Sequence, residues 1–215
     1  DTPQAIISYS GTGLTKLSQQ YHEIIREHIC RGAYKHAKRP ILINNWEATY
    51  FNFNEEKILK IAEQAQKLGI EMLVLDDGWF GKREDDNSGL GDWFVNEKKM
   101  NGSMAQLAEK IHKMGMKFGL WFEPEMISED SDLYRAHPDW AFAIPGRVPN
   151  HSRNQLVLDM TREDVREYLL ERLTTIVHDA KIDYVKWDMN RSVCDVYSHV
   201  AAQNRNGELY HRYVL

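Results

Sequence analysis

Cysteine is scarce in this 215-residue chain, with Cys30 and Cys194 its only two. They form neither a C-x-x-C pair nor a Cys/His ligand pattern, which argues against a disulfide-stapled scaffold or a zinc ribbon and for a reducing cytoplasm. No apolar run approaches the roughly 20 residues of a membrane span, and no basic-then-apolar leader opens the chain. An excess of basic charge is missing too. Lys and Arg number 27 against 32 Asp and Glu, a formal net charge of −5 without basic clusters, so neither nucleic acid nor a membrane is expected as partner. No His-Glu-x-x-His, phosphate-binding P-loop or Gly-x-Ser-x-Gly elbow occurs, and the acids of Asp85–Gly89 have the wrong spacing for a calcium loop. No metal and no cofactor is therefore expected. Two Asn-x-Ser tripeptides, at Asn101 and Asn190, read as chance without other signs of secretion.

What is present is a soluble balance, 42% hydrophobic and 27% charged, enough to bury a substantial core. Residues 1–39 hold a short apolar run, Ala5–Ser10, expected as a strand, and a helical pattern from Thr15 to Ile29. From Pro40 a unit recurs. The strand-like Ile41–Trp46 is followed by a helix capped by Asn54, with Ile58, Ile61, Ala62, Ala65 and Leu68 as its apolar stripe and Gly69 as its stop. Met72–Asp77 comes next, then a loop to Asn101, a helix carrying Leu107, Ala108, Ile111 and Met114, a second stop at Gly115, and Phe118–Phe122. A third helix, Arg162–Asp179, precedes Tyr184–Asp188, and Gln155–Met160 is a further apolar run without an assigned place.

Apolar strands alternating with amphipathic helices predict an α/β fold with a parallel sheet. No G-x-G-x-x-G follows the first strand, and polar residues tip every strand at its C-terminal end: Asn45/Trp46, Asp76/Asp77, Trp121/Glu123 and Lys186/Asp188. Those ends converge in a (β/α)8 TIM barrel, the expected architecture, and four strand units make about half of one. The expected domains are a connecting segment, 1–39, and the N-terminal half of the barrel, 40–215.

Lys186 and Asp188 lie two apart on one strand and share a face, so the ammonium would favour an ionised Asp188 suited to nucleophilic attack; a structural ion pair is the equal alternative. Asp76 and Asp77, without an evident cation, suit sugar hydroxyls, or simply a solvated Asp-Gly turn. Trp46 and Trp121 offer faces for stacking a sugar ring, though either alone more often packs a core. Arg153 sits in an irregular stretch where an arginine is more often solvated. Glu123 and Glu125 flank Pro124 and serve either as acids or as acceptors for the loop backbone.

The strings Leu75-Asp-Asp-Gly-Trp-Phe-Gly81, Gly119-Leu-Trp-Phe-Glu-Pro-Glu-Met126 and Tyr184-Val-Lys-Trp-Asp-Met-Asn-Arg191, with Ile43–Phe51, resemble the α-galactosidases of glycoside hydrolase family 36 over nearly the whole chain. The resemblance implies that residues 1–39 join an N-terminal β-sandwich to the barrel. It also implies that Asp188 is the nucleophile of a retaining hydrolysis, that Lys186 binds galactose hydroxyls, and that Asp76 and Asp77 hold those distinguishing galactose from its epimer. Trp46, Trp121 and Arg153 match pocket residues, and Asn190 belongs to the same motif. The implied substrates are galactose-containing oligosaccharides of the melibiose and raffinose type, released through a covalent galactosyl-Asp. The parent protein is expected to be a homo-oligomer. The family's general acid/base is an Asp of a later strand, and the chain stops at Leu215 before it, so no residue is assigned to that role and the isolated chain is expected to be inactive. A galactosyl transferase on the same scaffold, or a non-catalytic sugar-binding or structural piece, are the alternatives.

Overall fold

The computed structural model describes residues 5–214 in two compact units, with the boundary between Pro40 and Ile41. Residues 1–4 of the expected connecting segment, and Leu215, lie outside the described residues. In the first unit, α1 (Leu14–Ile24) runs on as a π-helical turn, Ile25–Ile29, and a 3-10 turn follows at Ala33–Lys35. No residue of α1 is buried. The expected strand at Ala5–Ser10 has no regular structure. Its apolar residues face solvent, Ile7 at 96% and Tyr9 at 85% exposure, and no strand among the described residues pairs with it, so it gains no ladder.

The second unit is an α/β structure. Its elements in chain order are β1 (Leu42–Asn44), α2 (Trp46–Thr49), α3 (Glu55–Lys67), β2 (Met72–Leu75), α4 (Glu97–Met100), α5 (Met104–Lys113), β3 (Lys117–Phe122), β4 (Met126–Ile127), α6 (Asp132–Ala136), β5 (Leu156–Val157), α7 (Glu163–Asp179), β6 (Tyr184–Trp187) and α8 (Leu209–Val214). β1, β2, β3 and β6 form a parallel sheet in that order. Each crossover thus adds the next strand on the same side, with no reversal of direction. The apolar run at Gln155–Met160 contributes β5, which pairs antiparallel with β4 in a separate two-stranded ladder.

Local chemistry starts and stops α3 and α5 where the sequence expects. The Asn54 side chain accepts the Lys57 N–H at 3.0 Å at the start of α3, and Ser103 and Gln106 form a reciprocal capping box at the start of α5. The helices end ahead of Gly69 and Gly115, both at positive φ. Ile58, Ala62 and Ala65 of α3 and Leu107, Ala108 and Ile111 of α5 are buried. Leu68, expected in the same stripe, is 82% exposed, because the helix has already ended and its backbone leaves the apolar face. All four residues of β2 are buried, as strands covered on both faces require. Gly119 lets β3 lie between its neighbours: an added Cβ would stand 3.0 Å from both Val74 and Tyr184. Trp46 departs from expectation, since β1 ends at Asn44 and Trp46 opens the single-turn α2. Among the described residues no helix is long and apolar enough to cross a membrane.

Candidate functional site

Because the four strands are parallel, everything just past their C-terminal residues lies along one edge of the sheet. Asn44 ends β1 and Asn45 follows it, Asp76 and Asp77 follow β2, Glu123 follows β3, and Asp188 follows β6. Each is tied to a neighbour by hydrogen bonds.

Asp188 is half-buried, its own N–H donating to the Phe122 carbonyl at 2.8 Å, which extends the β3–β6 register by one residue. The Trp121 indole N–H donates to Asp188 Oδ2 at 2.9 Å, and the Met189 N–H donates to Oδ1 at 3.0 Å. Burial pushes this carboxyl up, but the Trp121 bond, the Asn190 amide, the Met189 N–H and the Lys186 charge outweigh it, leaving Asp188 below the ordinary carboxylate value. The ammonium expected beside Asp188 is therefore the least of these causes. Lys186 instead reaches across to Asp76, with Nζ 2.8 Å from Oδ2. Neutral N–H donors, more than a cation, hold Asp188 ionised.

The expectation that Asp76 and Asp77 lack cations is overturned in both cases. Asp76 carries Lys186 and also accepts from the Asn44 side-chain amide, while its N–H donates to Asn45 Oδ1 at 2.8 Å. Asp77 is gripped by Arg83, whose Nε lies 3.1 Å from Oδ1 and whose Nη2 lies 2.9 Å from Oδ2. Both partners are buried. Burial raises Asp77 above the ordinary carboxylate value, Arg83 pulls it back, and burial wins.

Trp121 is not an open stacking platform. It is 2% exposed, with its ring parallel to Phe80 (9° between planes, centroids 6.2 Å apart) and its N–H spent on Asp188. Its carbonyl accepts the Trp79 indole N–H at 2.9 Å, which fixes the strand end that aims the ring. Trp46 is half-buried, edge-to-face with Tyr50 and Phe51, and its N–H donates to Asn44 Oδ1, so Asn44 links it to Asp76. Arg153 stands on an exposed loop at positive φ, its guanidinium 4.0 Å from Asp86, which in turn lies 3.7 Å from Arg83. Asn190 donates its N–H to Glu123 Oε1, and its side-chain amide acts to lower both the Glu123 and the Asp188 carboxyl.

Glu123 and Glu125 accept hydrogen bonds. Glu123 is 1% exposed, and burial raises its carboxyl; the Asn190 bonds lower it, while the charges of Asp188 and Asp77 push it further up. Glu125 accepts from the Trp187 indole at 2.9 Å and from the Tyr213 hydroxyl at 2.6 Å. Sequence reasoning missed Arg83, Asn44 and Asp86. Arg83 lies among the charged residues of Lys82–Asp86, a run that reads as solvated, and only the fold reveals its burial. Asn44 carried a usable signal, a polar residue ending an apolar strand.

A sequence profile of the family described as Melibiase matches residues 1–215. The chain is 57% identical over 213 residues to the bifunctional alpha-galactosidase/sucrose kinase AgaSK of Mediterraneibacter gnavus, covering 99% of this chain and 22% of that protein. It is 53% identical over 214 residues to alpha-galactosidase Mel36A of Lactobacillus acidophilus, covering 100% of this chain and 29% of that protein. Among solved structures, a variant of the alpha-galactosidase AgaA of Geobacillus stearothermophilus in complex with raffinose superimposes with a TM-score of 0.91 at 52% identity, covering 94% of this chain and 28% of the other. The chain spans under a third of the length of these relatives.

Proposed function

The chain belongs to the melibiase family, as its resemblance to glycoside hydrolase family 36 led us to expect, and from that premise we propose that it is the nucleophile-bearing part of a retaining α-galactosidase. The observation that carries this reading is the state of Asp188: a half-buried carboxylate, kept ionised by N–H donors, on the sheet edge that also carries the Asp76–Lys186 pair.

In the proposed reaction, Asp188 attacks the anomeric carbon of a terminal α-linked galactose as the glycosidic oxygen departs, giving a galactosyl-Asp that water hydrolyses. The Trp121 indole restrains the attacking carboxylate. Asp76, Asp77 and Lys186 bind sugar hydroxyls, with Trp46, Arg153 and Asn190 in supporting contacts. Protonation of the leaving oxygen needs a second carboxyl about 5–5.5 Å from the nucleophile, and that role is assigned to the rest of the full-length protein. The substrates are galactose-containing oligosaccharides; the relative solved with raffinose supports that class.

The same reading takes the sheet as four strands of a (β/α)8 barrel, with the boundary at Pro40 separating the connecting segment from it. Three features support it: strands that add in one direction, polar tips along one edge, and an outer strand left uncovered. Val185 and Trp187 of β6, with Leu170, Leu173 and Val177 of α7, line an apolar groove at the open side of the sheet. The two free cysteines support a cytoplasmic location. Incubating the full-length protein with raffinose and following the products by NMR tests the reaction. Galactose released first as the α-anomer is expected; the β-anomer first, or no galactose, refutes it.

A further inference from the structure

The Arg83 guanidinium is a buried cation with no part in the reaction as described. Its fork faces Asp77, with Nε 3.1 Å from Oδ1 and 3.2 Å from Oδ2 and Nη2 2.9 Å from Oδ2. Nη1 donates to the Ser88 carbonyl at 3.0 Å, and the Phe51 ring lies 5.5 Å from the guanidinium carbon. With the side chain 4% exposed and its fork engaged on Asp77, Arg83 is withdrawn from the surface a sugar would meet. Asp77, by contrast, keeps an unused lone pair on Oδ1 after accepting the fork. Asp86 then stands between two arginines, 3.7 Å from Arg83 and 4.0 Å from Arg153. The four residues alternate in charge along a path from the strand end at Asp77 to the exposed loop at Arg153.

We propose that Arg83 and Asp86 form a positioning strap, in which Arg83 orients the Asp77 carboxylate as a sugar-hydroxyl acceptor and Asp86 holds Arg153 in line with it. The inference rests on the proposed function, because Asp77 and Arg153 matter to it as sugar contacts. Arg83 and Asp86 are positioning residues, acting through their neighbours. A lysine cannot replace the fork, since a single ammonium fixes neither the plane nor the two-point grip. The charge itself has a second effect. The groups that face Asp77 are Arg83, Asp76, Asp86, Lys99 and Glu123, and burial already raises its carboxyl. Removing Arg83 takes away the dominant opposing cation, so Asp77 takes up a proton at higher pH than before.

The test uses the full-length protein, an aryl α-galactoside, and calorimetric titration with galactose. R83Q is expected to raise KM and the galactose Kd by about ten- to a hundredfold, with a much smaller change in kcat, and to move the acid limb of kcat/KM to higher pH. R83K is expected to return the acid limb towards that of the unmodified protein while KM stays high, a split that a purely structural role would not produce. D86N is expected to raise KM about two- to fivefold and, by removing a carboxylate that faces Asp77, to move the acid limb slightly to lower pH, opposite to R83Q. Unaltered KM, Kd and acid limb in R83Q and R83K overturn the strap. Should R83Q fail to fold, R83K and D86N decide, and unchanged affinity in both overturns it. Galactose affinities rank the variants whether or not a bond is cut, so absent hydrolysis counts against the reaction, and unchanged affinities count against the strap.

Discussion

Asp77 and Asp188 stand two strands apart on the same sheet edge, and their surroundings invert a simple electrostatic expectation. Asp77 has an arginine fork on it, yet its carboxyl is raised; Asp188 has mainly neutral donors, yet its carboxyl is lowered. The difference is burial. Asp77 and its cation are both withdrawn from water, and desolvation exceeds what the pairing returns. Asp188 keeps part of its hydration and adds well-aimed N–H bonds, which stabilise the charged form at a smaller desolvation cost. The carboxylate proposed to attack thus sits at the wetter position, and the one proposed to accept a sugar hydroxyl sits at the drier one.

The contrast can be broken by substitution in the full-length protein. The largest effect is expected from D188N, which removes the oxygen anion proposed to attack: kcat on an aryl α-galactoside should fall on the order of 10⁴-fold with galactose binding retained. W121F should come next. It deletes the 2.9 Å donor while keeping an aromatic ring, so kcat should fall about ten- to a hundredfold and the pKa of Asp188 should rise, read from the pH dependence of kcat. K186Q sharpens the comparison: it should raise KM about tenfold through the lost Asp76 partner yet shift the Asp188 pKa less than W121F does. A larger shift in K186Q would show that the cation, and not the indole, governs Asp188.

The smallest effect concerns stability. Burial, with the nearby carboxylates, raises Glu123, so the folded state binds its proton more tightly than the unfolded chain does. Its contribution is fully present below the ordinary carboxylate value and is lost as pH rises through the raised one. E123Q keeps an acceptor for the Asn190 N–H but cannot titrate. As pH falls from neutrality towards the ordinary carboxylate range, the unmodified protein should gain stability relative to E123Q in urea melts. Equal pH dependence of stability for the two proteins would show that Glu123 is not raised in the folded state.

Much of the second unit was legible because its signals are local. Asn54, Ser103, Gly69 and Gly115 mark helix ends through bonds to residues three or four positions away, and the apolar stripes of α3 and α5 declare which faces are buried. The strand ends were legible for the same reason: polar residues closing an apolar run show in the chain itself. Ala5–Ser10 misled because an apolar run states only that a strand is affordable, not that a partner exists to pair with it. Leu68 misled because a periodic stripe does not report where the helix stops. The partners of the site residues were out of reach altogether. Lys186 lies two positions from Asp188 but bonds to Asp76, far back in the sequence, and Trp121 turned out to offer its N–H and not its face.

The order of residues alone determined the alternation of strand and helix, the parallel sheet that alternation demands, and the set of acids, amides and indoles brought to one edge. These follow from periodicity and from short-range capping, which act over a few positions whatever the rest of the chain does. Only the tertiary structure decided which carboxylate meets which cation, and which is dry. Desolvation and hydrogen-bond direction depend on atoms supplied by other strands and loops, and a linear pattern carries no record of those distances.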